Sequence, residues 1–136
     1  MRTGTTTAVA AALLAGCCVI ATSAAAQTTE SGKEATVKAG HFMFEHRCRS
    51  CHADDPDLKS YGPSLIGILG RKAGTVEGFA YSDAMKASGL VWDEATLRGW
   101  IADNKGLLPG TRMRHVGVTD TMEQDYLLAY LKTLHK

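Results

Sequence analysis

Apolar residues in this chain come first as an unbroken run and then as spaced stripes. The run, Ala8 to Ala21, follows Met1-Arg2 and ends in Ser23-Ala24-Ala25-Ala26. A basic start, an apolar middle and small residues at the end are the three parts of a secretory leader, so residues 1–26 are expected to be removed after Ala26. The run is too short to argue for a spanning helix. Residues 27–35 are polar with one glycine, Gly32, and are expected as a flexible arm. From Ala35 to Arg47 the pattern turns helical, with Val37, Gly40 and Phe44 on one face. Asp54-Asp55-Pro56 closes that segment, because proline cannot continue a helix.

The stretch from Lys59 to Gly78 holds Gly62-Pro63, Gly67, Gly70, Gly74 and Gly78 and never alternates as a strand would. Such a loop needs something to wrap. Ser82 is expected to cap a short helix closed by Gly89. Asp93 caps another, whose stripe of Leu97, Trp100 and Ile101 fades at Asn104 and Gly106. Leu108-Pro109-Gly110 breaks the chain, and Thr111 to Val118 is expected to be extended. In the last helix Thr121 and Gln124 suggest a capping box, followed by Tyr126, Leu127, Tyr130, Leu131 and Leu134 on one face. The pattern reads as helices joined by turn-rich loops, with one domain expected over residues 36–136.

Without the leader, about 110 residues remain, few enough that a bound group would supply much of the core. Charge excludes little except a global electrostatic partner. The chain has 15 Lys and Arg against 14 Asp and Glu, and loss of Arg2 with the leader leaves 14 against 14. That balance gives no argument for binding nucleic acid or a membrane surface. Any charged docking surface must be local.

The cysteines are more informative. Cys17 and Cys18 lie in the leader, whose removal leaves Cys48 and Cys51 as the only thiols; that excludes a four-cysteine zinc site, and a single C-x-x-C pair argues against a disulfide framework. A second reading of the N-terminus takes Leu14-Ala15-Gly16-Cys17 as a lipobox, with the mature chain anchored by lipid on Cys17. It ranks below cleavage at Ala26 because the residues after Cys17 remain apolar instead of forming a polar tether. The remaining pair lies in Cys48-Arg49-Ser50-Cys51-His52, a C-x-x-C-H attachment signature for c-type haem. Two thiols on one helical turn can each form a thioether to a vinyl group of one porphyrin, while the adjacent imidazole ligates the iron.

A sixth iron ligand must then come from elsewhere, and methionine sulfur or histidine nitrogen are the usual choices. Met43, His41 and His46 precede the attachment site on its own helix, on the wrong side of the ring. Met122 begins the last helix, where a core or surface role is the simpler reading, and His135 is next to the C-terminus. Met85 and His115 remain. Met113 stands out in Pro109-Gly110-Thr111-Arg112-Met113, a loop stiffened by proline and released by glycine, far enough along the chain to return to the opposite face.

The ordered set of motifs resembles the class I, mitochondrial-type cytochromes c almost continuously from Gly40 to Lys132. The matches are Gly40, Phe44, Cys48-x-x-Cys51-His52, Gly62-Pro63, Gly67 to Gly74, Gly78 to Ala84, Trp92, Leu97, Pro109 to Met113, and Leu127-x-Ala129-Tyr130-Leu131-Lys132. The resemblance implies an all-α fold wrapped around one covalent haem c. It implies that Met113 is the sixth ligand, and that the first and last helices cross at Gly40 and pack through Phe44, Leu127 and Tyr130. Thr111 belongs to the ligand loop. Pro63 matches the proline whose carbonyl orients the ligating imidazole, while Arg71, Tyr81 and Trp92 match residues that serve the haem propionates; such contacts set ring orientation and ligand basicity.

The departures are local. Trp100 replaces a tyrosine whose hydroxyl approaches the methionine sulfur, Met85 replaces a distal-side asparagine, and His115 replaces an aromatic at the haem edge. His115 can compete for iron if the Met113 bond weakens, although a solvated loop residue is the more ordinary role for it.

The resemblance implies a soluble, periplasmic, monomeric one-electron carrier rather than an enzyme. Its partners would be redox proteins: a quinol-oxidising cytochrome bc-type complex or a dehydrogenase as donor, and a terminal oxidase, reductase or photosynthetic centre as acceptor. They would dock at the haem edge against a basic rim of Arg47, Lys105, Arg112 and Arg114. The alternative is a haem-based ligand sensor or peroxidase, which requires that Met113 not be bound.

Overall fold

A computed structural model describes residues 19–55 and 58–135, with side chains from residue 29 onward. The expected leader over 1–18, with Cys17, and Pro56 of the expected break lie outside the described residues. The described residues form four helices: α1, Val19–Arg47; α2, Asp83–Ala87; α3, Glu94–Leu107; and α4, Thr121–Leu131. Among the described residues there is no strand, only one isolated bridge between Lys72 and Val91. None of these helices is long and apolar enough to cross a membrane. The chain divides into two compact units, residues 1–32 and 33–136. Within the first, the described residues are helical.

Residues 27–35, expected as an arm, carry helical backbone here, so α1 begins well before Ala35. Helix growth costs little once a turn exists, because each added residue brings one further hydrogen bond. The residues from Ala35 onward belong to the same helix and supply that turn.

Caps explain where the later helices begin. The Ser82 hydroxyl accepts the Met85 N–H at 3.2 Å, and Asp93 accepts the Thr96 N–H at 2.7 Å, both as expected. The cap of α4 is one residue earlier than predicted. Asp120, not Thr121, accepts the Glu123 N–H at 2.9 Å, because its carboxylate also offsets the positive end of the helix dipole. Gln124 is thereby released from capping and is buried, with its amide donating to the Val118 carbonyl at 2.7 Å.

α1 and α4 meet where the sequence has no side chain. A Cβ on Gly40 would collide with the Tyr126 carbonyl, and Phe44 on the next turn packs against Tyr130 with ring centroids 5.2 Å apart. Phe44, Leu127 and Leu128 are fully buried in the core, Leu128 being a position that the predicted stripe omitted. The loop that leads to α2 is tied to the core through its backbone. Gly70 N–H donates to Trp92 O at 3.0 Å, Trp92 N–H to Arg71 O at 2.9 Å and Ala73 N–H to Leu90 O at 2.8 Å, while Ile68 and Ala73 turn inward.

Candidate haem site

The site starts where α1 ends. Cys48 N–H still bonds to Phe44 O at 2.8 Å, and the next turn closes with Cys51 and His52 N–H on the Cys48 carbonyl, at 3.0 and 2.9 Å. One turn therefore holds both thiols and the imidazole. The thiols are free and half-buried, and burial pushes the Cys48 thiol up to about 11, so it is uncharged at neutral pH.

His52 is buried and lies against Gly62 so closely that a Cβ there would stand 2.6 Å from its Cε1 and 2.7 Å from its Nδ1. Nδ1 donates to the Pro63 carbonyl at 2.8 Å. That bond assigns the proton to Nδ1 and leaves Nε2 with a bare lone pair. Burial lowers the His52 pKa, opposed by the Pro63 bond and reinforced by the nearby His115, which keeps the ring neutral and able to ligate.

Met113 packs against the core from the irregular segment after Pro109-Gly110. Gly110 has φ +90°, a conformation that favours glycine, and a Cβ there would approach Ala84 at 3.1 Å. Three groups then hold Met113. Its N–H donates to Thr111 Oγ1 at 3.3 Å, its carbonyl accepts from Asn104 Nδ2 at 2.8 Å, and its sulfur accepts from Trp100 Nε1 at 3.1 Å. Tryptophan thus makes the sulfur contact expected of the tyrosine it replaces. Trp92 fixes the donor ring, edge-on at 5.1 Å and 68°.

Asn104 escaped the sequence reading, which saw only a fading stripe. It is a buried amide at the helical spacing of Trp100 plus four, a polar residue on an apolar face, and that conflict was the available signal. Asp103 just before it leaves helical geometry, at φ −153° and ψ 87°, and bends the end of α3.

The other expected residues divide. Arg71 is half-buried and spans the loop, donating to Ser64 O at 2.8 Å and Ile66 O at 3.0 Å; burial lowers its pKa. Tyr81 packs edge-on against Phe79 at 4.7 Å, and burial raises its hydroxyl pKa while the Arg71 charge opposes that rise. Met85 is buried in the core. Of the basic rim, Lys105 and Arg114 are exposed, Arg112 donates to Tyr81 O at 2.8 Å, and Arg47 pairs with Glu123 at 3.3 Å. His115 is not the solvated loop residue that its position suggested. It is half-buried, and Nε2 meets the Ile101 carbonyl at 2.9 Å.

Two thiols on one turn, a neutral imidazole with one bare nitrogen and a thioether held by an N–H donor form a donor set that fits a covalently attached, axially ligated porphyrin. That set defines a c-type haem protein. No protein-family model matches the chain. It is, however, 45% identical over 87 residues to cytochrome c2 iso-2 of Magnetospirillum fulvum, covering 64% of this chain and 91% of that one. It is 46% identical over 96 residues to cytochrome c2 of Rhodoplanes tepidamans, covering 70% and 89% respectively. Among solved structures, cytochrome cH from Methylobacterium extorquens superposes with a TM-score of 0.66 at 44% identity, over 71% of this chain and 97% of that one. The chain belongs to the class I c-type cytochromes; it binds one haem c covalently and serves as an electron carrier.

Proposed function

We propose that Cys48 and Cys51 carry the two thioethers and that His52 Nε2 and Met113 Sδ are the axial ligands. With both positions taken, no substrate has access to the iron, and the protein works as a shuttle rather than an enzyme. It takes one electron from a quinol-oxidising complex or a dehydrogenase and delivers it to a terminal oxidase, reductase or photosynthetic centre. Exposed cations beside the Met113 loop meet those partners. The leader pattern of residues 1–26 supports export to the periplasm.

The observation that carries this reading is the bond from Trp100 Nε1 to Met113 Sδ, since a buried indole N–H aimed at a thioether serves to orient that sulfur. The bound haem supplies the one-electron couple. The chain orients the imidazole through Pro63, fixes the sulfur through Trp100, Asn104 and Thr111, and excludes water with the surrounding core. The alternative sensor or peroxidase reading has no support among the relatives.

Spectroscopy on the exported protein tests the assignment. Acid-acetone extraction is expected to leave haem on the chain, and the ferric protein is expected to show the weak sulfur-to-iron charge-transfer band. Met113→Ala should lose that band and lower the reduction potential, because thioether ligation favours ferrous iron. Extractable haem would overturn the thioethers, and an unchanged band in the variant would overturn Met113.

A further inference from the structure

One buried polar atom near the site is left unused by this account. His115 Nδ1 is buried and has no hydrogen-bond partner among the described residues. The other ring nitrogen faces a carbonyl, Ile101 O, at 2.9 Å, and a carbonyl only accepts, so Nε2 carries the proton. Nδ1 is therefore a bare lone pair, enclosed and unpaired. Buried polar atoms are almost always satisfied, and an exception asks for a ligand.

The placement of this nitrogen indicates which ligand. From Thr111 to Val116 burial alternates along the chain: Thr111, Met113 and His115 are half-buried, and Arg112, Arg114 and Val116 are exposed. Met113 and His115 accordingly share the inward side, while Arg114 and Val116 are exposed. The segment is pinned on both flanks, by Asn104 Nδ2 on Met113 O at 2.8 Å and by Val118 N–H on Ile101 O at 2.9 Å. A side-chain exchange between 113 and 115 can thus occur while these anchors hold.

We propose that His115 is a reserve axial ligand, whose unprotonated ring nitrogen takes the sixth position when the Met113 sulfur leaves it. This rests on the assignment of Met113 as the resident ligand. In the exchange the iron–sulfur bond breaks and an iron–nitrogen bond forms. The proton remains on the other ring nitrogen, and no electron is transferred. The result is a second, bis-histidine form of the carrier, closed to small ligands and lower in potential than the methionine form, since imidazole lacks the thioether's preference for ferrous iron.

The test compares four ferric holoproteins: wild type, Met113→Ala, His115→Gln and the double variant Met113→Ala with His115→Gln. Glutamine retains an N–H for the Ile101 carbonyl and removes the imidazole. His115→Gln alone is expected to keep the sulfur band, which shows that the pocket still folds. Met113→Ala is expected to lose the band yet stay low-spin, with the near-infrared charge-transfer energy of two nitrogen ligands. The double variant is expected to be high-spin and to bind azide at least about tenfold more tightly than Met113→Ala, because an internal ligand that fills the site nine-tenths of the time reduces apparent affinity by that factor. If the double variant does not mature, the near-infrared band of Met113→Ala decides alone. A high-spin Met113→Ala, or equal azide affinity in the two Met113 variants, overturns the proposal. Failure of the underlying assignment looks different, since the wild type would then lack the sulfur band or Met113→Ala would retain it.

Discussion

At the scale of single residues, the proposed ligation by Met113 makes the Trp100 N–H on the Met113 sulfur, 3.1 Å long, the contact expected to tune the potential. A donor on sulfur draws density from the thioether lone pairs and weakens its donation to ferric iron more than to ferrous. Trp100→Phe leaves an aromatic ring beside Trp92 while removing the N–H. The net contribution of one such bond, about 0.5–1.5 kcal/mol, corresponds to a fall of roughly 20 to 60 mV for a one-electron couple. Cyclic voltammetry checks it, and an unchanged or higher potential would remove Trp100 from the tuning of the iron. That Cys48, Cys51 and His52 share one turn was legible in the sequence, because their spacing is that of a single helical turn. That Trp100 differs from the usual tyrosine was legible too. That its N–H still meets the sulfur was not, since the bond depends on Trp92 and on the path of the Met113 loop. His115 was misjudged for a related reason: a loop histidine is ordinarily solvated, and only the carbonyl of Ile101, fourteen positions away, turns this one inward.

At the scale of elements, two glycines make opposite predictions from similar surroundings in sequence. Gly40 lies in α1 and Gly99 in α3. A Cβ on Gly40 would penetrate the backbone of α4 at Tyr126, where only a shift of a whole helix can make room. A Cβ on Gly99 would meet Leu107 methyl groups at 3.8 Å, an ordinary contact. Gly40→Ala is therefore expected to cost about 1–3 kcal/mol or more of stability. Gly99→Ala is expected to add about 0.5–1 kcal/mol by relieving the helix of a flexible residue. Denaturant midpoints of the ferric holoproteins measure both, and a neutral Gly40→Ala would mean that the helices do not cross there. Helix number and order after Ala35 were readable because stripe and cap coincide at Ser82 and Asp93. The start of α4 slipped by one residue because Asp120 and Thr121 are both competent caps, and local sequence ranks them poorly. The early start of α1 was missed because Thr28, Thr29 and Gly32 are weak helix formers that a strong helix downstream carries along.

For the whole molecule, function depends on how a balanced charge is distributed. Of the four cations expected to form the docking rim, Arg47 is paired with Glu123 at 3.3 Å, and Arg112 is bound to the Tyr81 carbonyl, so its replacement would disturb the loop as well as the field. Lys105 and Arg114 are the exposed pair best suited to a test. Each is one residue from an end of the Asn104–Met113 bond, which brings the two charges to the same margin of the site. A field set by them acts over about 8 Å at physiological ionic strength and further at low salt. Lys105→Glu combined with Arg114→Glu replaces two positive charges by two negative ones while leaving the Trp100 contact intact. Oxidation of the ferrous protein by ferricyanide, an anion, should slow about tenfold at low salt and regain speed as salt is added. Oxidation by a cationic cobalt(III) tris-phenanthroline complex should change in the opposite direction. The reduction potential and sulfur band should stay as in the wild type, since neither residue touches the ligand set. Opposite responses to the two oxidants can arise only from charge, whereas a uniform change with both would mean that the substitutions act through the fold and that docking relies on exposed apolar residues such as Val116.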